Sequence, residues 1–129
     1  MNTKSRFVLF SIERPGKSNR GYKEYVESIL SKHGFKKVLG SYKGVLEKSY
    51  MVLANEDKAL NDVLTLAQKF DQESVLIVDE NRVATLQYLD SILNVNSSHK
   101  LGRWTSIDAL EAKNLDNWTL DGTNYYSVA

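Results

Sequence analysis

Apolar, β-branched and aromatic residues fill Arg6 to Ile12, and Pro15-Gly16-Lys17-Ser18-Asn19 breaks that run. The pattern predicts a first strand, with Ser18 or Asn19 able to cap a following helix. From Tyr22 the apolar positions recur as Tyr22, Tyr25, Val26, Ile29 and Leu30, with His33 next on that face. This is the period of an amphipathic helix, which Gly34 ends. A second stripe, Leu60, Val63, Leu64, Ala67 and Phe70, predicts a helix from about Glu56 to Phe70, with Asn55 as its cap. Between the helices, Phe35 to Leu39 and Leu46 to Ala54 read as strands flanking Ser41–Gly44. Ser74 to Val78 and Arg82 to Tyr88 then read as a hairpin around Asp79-Glu80-Asn81.

The resulting order is β-α-β-β-α-β with an extra strand. That is the split β-α-β, or ferredoxin-like, pattern of an α+β fold, with both helices on one face of an antiparallel sheet. The tail is less regular. Asn94-Val-Asn-Ser-Ser98 reads as a polar loop, and Thr105-Ser-Ile-Asp108 as the cap of a short helix through Ala112. Asp121-Gly122 reads as the turn of a hairpin between Trp118–Leu120 and Thr123–Tyr126. The expectation is one domain over residues 1–129, with its core in 6–90 and a C-terminal elaboration in 91–129. Both alternation sets of the strands are apolar: Val8, Phe10 and Ile12 against Phe7 and Leu9, Val75 and Ile77 against Leu76 and Val78. A half-solvated antiparallel strand would alternate with polar residues, so the second face needs a cover. Either the C-terminal segment or other subunits could supply it, and the reading favours a homo-oligomer.

Composition narrows the classes. A chain of 129 residues, 42% hydrophobic and 26% charged, suits one globular domain. A formal charge of +1 with scattered lysines argues against a nucleic-acid partner. There is no cysteine and there are two histidines, His33 and His99, so no thiolate or His-rich metal site is expected. Phe7-Val-Leu-Phe10 runs into Glu13-Arg14 and does not resemble a signal peptide, and no apolar run approaches a membrane span. A cytoplasmic protein without a membrane partner is the expectation.

Candidate chemistry concentrates in two segments. Glu47 lies between Leu46 and the apolar run Tyr50 to Leu53, with Ser49 on its face of the strand and Tyr50 on the other. A carboxylate and a hydroxyl at this spacing can bind a diol such as a ribose. An exposed edge-strand glutamate countered by Lys48 is the commoner reading of the same residues. Gln72 and Glu73 stand between a helix end and a buried strand, where an anionic group wants a positive partner or ligand; a solvated loop explains them equally well. Ser18 and Asn19 could lie beside a ligand, although their loop lacks a Walker sequence. Tyr42 offers an aromatic surface or simple packing at a loop rim. Trp104 and Trp118 read as core or interface residues. His33 does too, and two isolated histidines support no catalytic triad.

Taken together, the strand Phe7–Ile12 leading to Ser18-Asn19, Leu39-Gly-Ser-Tyr42, Ala59-Leu-Asn61 and Asp71-Gln-Glu73 before Val75-Leu76 resemble the phage-encoded enzymes that degrade S-adenosylmethionine. The likeness spans about residues 7–90 and fades in the tail, and the segment after Tyr50 is shorter than in the hallmark phage enzyme. The resemblance implies a homotrimer of nitrogen-regulatory-protein-like (GlnB-like) α/β sandwiches with sites between subunits. It implies cleavage of S-adenosylmethionine to 5′-methylthioadenosine and homoserine lactone, countering host restriction–modification in the host cytoplasm. It also implies Glu47 and Tyr42 as catalytic residues, and Ser18, Asn19, Ser49, Gln72 and Glu73 as substrate contacts. Neither a cofactor nor a metal is called for. Two other readings stay open: a non-catalytic trimeric nucleotide-binding module, and a small protein that blocks a host enzyme directly.

Overall fold

β1 (Phe7–Phe10) is buried at every position, as befits a strand with a layer on each side. The computed structural model describes residues 5–13, 21–89 and 98–129. The two-residue period of β1 sorts its side chains into two separate clusters. Val8 and Phe10 join a cluster that includes Val26, Leu30, Val52 and Val63, whereas Phe7 and Leu9 join Val38, Val78 and Ala84.

The first cluster lies beneath two helices. α1 (Lys23–Leu30) contributes Val26 and Leu30, and α2 (Asp57–Lys69) contributes Ala59, Val63, Leu66 and Ala67. Strands β2 (Phe35–Tyr42) and β3 (Val45–Leu53) run between the helices, and β4 (Ser74–Val78) and β5 (Val83–Tyr88) follow. His33 Nε2 lies 2.8 Å from Asp62 Oδ2 and so joins the end of α1 to α2. The Asn55 side chain accepts the Arg6 N–H and caps nothing; Glu56 holds the N-cap position.

The architecture differs from the expected ferredoxin-like, GlnB-like α+β sandwich. The sheet is a closed antiparallel barrel in the order β1-β3-β2-β7-β8-β6-β5-β4, with β4 pairing back onto β1. The cause is the C-terminal segment, which forms β6 (Ser98–Ile107), β7 (Trp118–Asp121) and β8 (Asn124–Val128). A ferredoxin-like sheet would end at β2 and β4. Here β2 pairs with β7 and β4 with β5, while β6 links β5 to β8. Closure pairs the backbone groups that open edges would expose. A short helix, α3 (Ala109–Lys113), connects β6 to β7, and Asp108 caps it by accepting the Glu111 N–H at 2.8 Å.

The second face of β1 is therefore the barrel interior. Met51, Leu76, Trp104 and Val128 pack there on the second cluster. The Trp104 ring meets Phe7 edge-on at 5.4 Å and stacks on Tyr126 at 5.1 Å. The chain's own C-terminal strands cover the face for which a second subunit was expected. Among the described residues, no helix is long and apolar enough to cross a membrane.

Candidate functional site

The apolar filling of the barrel gives way to polar groups where β1 ends. Beyond Phe7 and Leu9, the next residue on the interior face is Ser11, which is 2% exposed. Its hydroxyl donates to the Lys48 carbonyl at 2.8 Å, and the Glu13 N–H donates to Ser11 Oγ at 2.9 Å. The Glu13 carboxylate in turn accepts the Lys48 N–H. Two side chains thus satisfy both backbone groups of Lys48 where the strand ladder stops. Gln72 closes the arrangement from the entry to β4, donating through Nε2 to the Glu13 carbonyl at 2.9 Å.

Glu47 and Ser49 stand on β3 beside this group. The register sets Ser49 opposite Val38 and Glu47 opposite Gly40. Val38 belongs to the interior cluster, so Glu47 and Ser49 share the interior-facing side of β3. Gly40 has no side chain to fill the space in front of them. A Cβ there would lie 3.6 Å from the Glu47 carbonyl and 3.7 Å from Ser49 Oγ, ordinary contact distances. Tyr42 is two residues further along the same face of β2 and 47% exposed. Such a diagonal neighbour lies about 7–8 Å from Glu47, within reach of an aromatic side chain. Lys43 Nζ lies 5.2 Å from the Tyr42 ring centre.

Electrostatics single out Glu47. Burial pushes its pKa up, the charge of Glu13 adds to the rise, and the Ser11 hydroxyl opposes it. The half-buried carboxylate beside a second carboxylate favours either a proton, several hydrogen-bond donors or a cation. Tyr50 also has a raised pKa, through burial and the Glu27 carboxylate that its hydroxyl meets at 2.9 Å. It faces the helices, between Phe10 and Phe35, and serves packing.

Of the residues singled out in the sequence, Tyr42, Glu47, Ser49 and Gln72 come to one end of the barrel. Glu73 is exposed, and its carbonyl accepts the Leu89 N–H. Ser18 and Asn19 lie outside the described residues. Ser11 and Glu13 were missed, although they continue the alternation of Phe7 and Leu9 with polar residues. Among the described residues, no group of three or more His, Asp or Glu is placed to hold a metal ion. A depression of about 300 Å³ lined by Arg6, Asn55, Asp57, Asp79, Glu80 and Asn81 lies at the other end of β1. Its groups are engaged in local structure: Arg6 Nε bonds the Ala54 carbonyl, and Asp79 Oδ1 accepts from Asn81 and Val83. The end of the barrel that holds the perturbed carboxylate is the better candidate.

The model of the S-adenosylmethionine lyase family matches residues 13–129. The chain belongs to the S-adenosylmethionine lyase family. It is an enzyme that cleaves S-adenosylmethionine. The match begins at Glu13 and takes in Tyr42, Glu47, Ser49, Gln72 and Glu73. It also covers the C-terminal strands, where the resemblance read from short motifs faded. Among curated proteins, none matches the chain. For such an enzyme the polar end of the barrel is a chemically apt site, because the substrate carries a ribose diol and a sulfonium cation.

Proposed function

We propose that the enzyme cleaves S-adenosylmethionine by intramolecular displacement, releasing 5′-methylthioadenosine and L-homoserine lactone. The observation that carries this reading is the half-buried Glu47, its pKa raised beside Glu13, with Gly40, which carries no side chain, as its partner across the strands. The sulfonium is already a good leaving group, and the substrate's own carboxylate can attack the γ-carbon. The carboxylate oxygen forms the new C–O bond as the C–S bond breaks, and the bonding pair leaves on the thioether sulfur. This step requires no enzyme nucleophile and no general base. It requires a folded-back substrate, and enforced proximity can contribute several kcal/mol, up to about 7–11. The two substrate charges cancel as the bond forms, so a water-poor site favours the transition state.

Within this reading Glu47 accepts the ribose hydroxyls, with Ser49 beside it. Direct contact of a carboxylate with the sulfonium would stabilise the ground state and slow the step. The negative potential of Glu13 and Glu47 instead attracts the cation to the mouth, and Tyr42 presents its ring to the sulfonium. Gln72 fixes the Glu13 segment, and in the same reading Glu73, Ser18 and Asn19 are substrate contacts. A homotrimer with sites between subunits belongs to the same reading. Its support is the exposed apolar tip of the β2–β3 hairpin, where Val45 and Leu46 are each 64% exposed beside Glu47. In a phage-infected cell the reaction would deplete the methyl donor of host restriction–modification enzymes. Mass spectrometry of early reaction mixtures tests the chemistry. Methylthioadenosine and lactone in equal amounts support it; adenosine or homocysteine as products would refute it.

A further inference from the structure

The assignment of the ribose to Glu47 leaves the purine without a seat, and β5 and β6 supply one at the same end of the barrel. Ala84 lies in the interior cluster, so Leu86 and Tyr88 continue its face of β5. The pairing of Leu86 with His99 brings His99 to that face of β6. The Tyr88 and His99 rings meet edge-on, 5.7 Å between centres and 89° between planes. Beneath them runs an apolar row of register partners, Leu9 with Leu76 and Leu76 with Leu86. Two residues from that row, β1 reaches Ser11, and β4 begins at Ser74, the partner of Tyr88. The aromatic pair and the Glu13–Glu47 carboxylates therefore rim one mouth from different strands. Tyr88 is half-buried and His99 exposed, so one ring is anchored and the other is open to a ligand.

The geometry points to Tyr88 and His99 as the binding surface for the purine of S-adenosylmethionine, resting on the reading that this mouth holds the substrate. A purine is flat and apolar on its faces, and it stacks on aromatic side chains above an apolar floor. An eight-stranded barrel can hold one small ligand in its mouth. The substrate is polar at its amino-acid end and aromatic at the other, and the two sides of the mouth differ in the same sense.

The chain has two histidines, which makes the test direct. S-adenosylhomocysteine, the uncleavable thioether, is titrated into the unaltered protein while the imidazole C–H signals are followed by NMR. Ring current from a stacked purine should shift His99 and leave His33, 11% exposed against Asp62, unmoved. L-methionine, which lacks the purine, should move neither. His99→Ala should weaken S-adenosylhomocysteine binding at least tenfold, and His99→Phe should restore it; circular dichroism confirms that each variant folds. A fixed His99 signal at saturation, equal affinities in the alanine variant, or no binding at millimolar concentration overturns the assignment. If S-adenosylmethionine is still cleaved to lactone in those cases, the proposed reaction stands and the purine seat alone falls.

Discussion

The negative charge of Glu13 raises the pKa of Glu47, adding to the larger effect of burial. A carboxyl group with a raised pKa binds, when folded, a proton that the unfolded chain has already released. Stability therefore falls as pH rises through that window, and the whole cost stands once Glu47 is ionised. Glu47→Gln should be more stable than the unaltered protein at neutral pH. The advantage should vanish on acidification to below the ordinary glutamate range, as urea unfolding at the two pH values will show. Turnover should meanwhile fall at least tenfold, about 1.4 kcal/mol of barrier. Unchanged turnover would show that Glu47 takes no part in the reaction.

Glu13→Gln separates the charge of Glu13 from its structural bond. The amide oxygen can still accept the Lys48 N–H, so the end of β1 should hold. The repulsion disappears, and the Glu47 titration should move down while the part due to burial remains. Carbon-13 NMR of the Glu47 carboxyl measures this directly. A titration unmoved by the substitution would mean that Glu13 and Glu47 do not interact.

The first five strands and both longer helices were legible because each carries a strong period or an apolar run. The barrel was not, since closure depends on β6, whose sequence Ser98-His-Lys-Leu-Gly-Arg-Trp-Thr-Ser-Ile107 is largely polar. Trp104 reaches the packed interior, but much of the strand lies at the surface, which hides the alternation. The apolar second face of β1 was read correctly as needing a cover, and the cover is internal. Glu47 was visible as a carboxylate entering an apolar run. Glu13 was not, because its significance arises from Lys48 and Glu47, distant in sequence and adjacent across the end of β1.

Gly40 offers a way to fill the proposed site without disturbing the fold. A Cβ at this position makes only ordinary contacts, so Gly40→Ala should fold with a melting temperature within a few degrees of the original. Its methyl group would lie against the Ser49 hydroxyl, beside Glu47. We expect KM for S-adenosylmethionine to rise at least tenfold, equivalent to about 1.4 kcal/mol. A folded variant with unchanged kinetics would show that the substrate binds elsewhere.

The exposed hairpin tip tests assembly. If Val45 and Leu46 are covered by a neighbouring subunit, light scattering should give a trimer, and Leu46→Asp should dissociate it by burying an unpaired charge. Activity should fall with dissociation if the sites lie between subunits. A monomer across micromolar concentrations would leave each barrel mouth as a site complete in one chain.

The reaction in isotopically labelled water distinguishes displacement from hydrolysis. Direct hydrolysis needs an activated water and a general base within hydrogen-bond reach of it. Glu47, with its raised pKa, is the candidate for that base, so the source of the product oxygen is the decisive observable. In the displacement, the substrate carboxylate supplies the oxygen that becomes bonded to the γ-carbon. Early samples should therefore contain lactone free of solvent label. Later opening at the acyl carbon places solvent oxygen in the carboxylate of homoserine and leaves the γ-oxygen unlabelled. Hydrolysis would instead put the label on the γ-hydroxyl at once, with no lactone at any time. That outcome would eliminate the intramolecular mechanism.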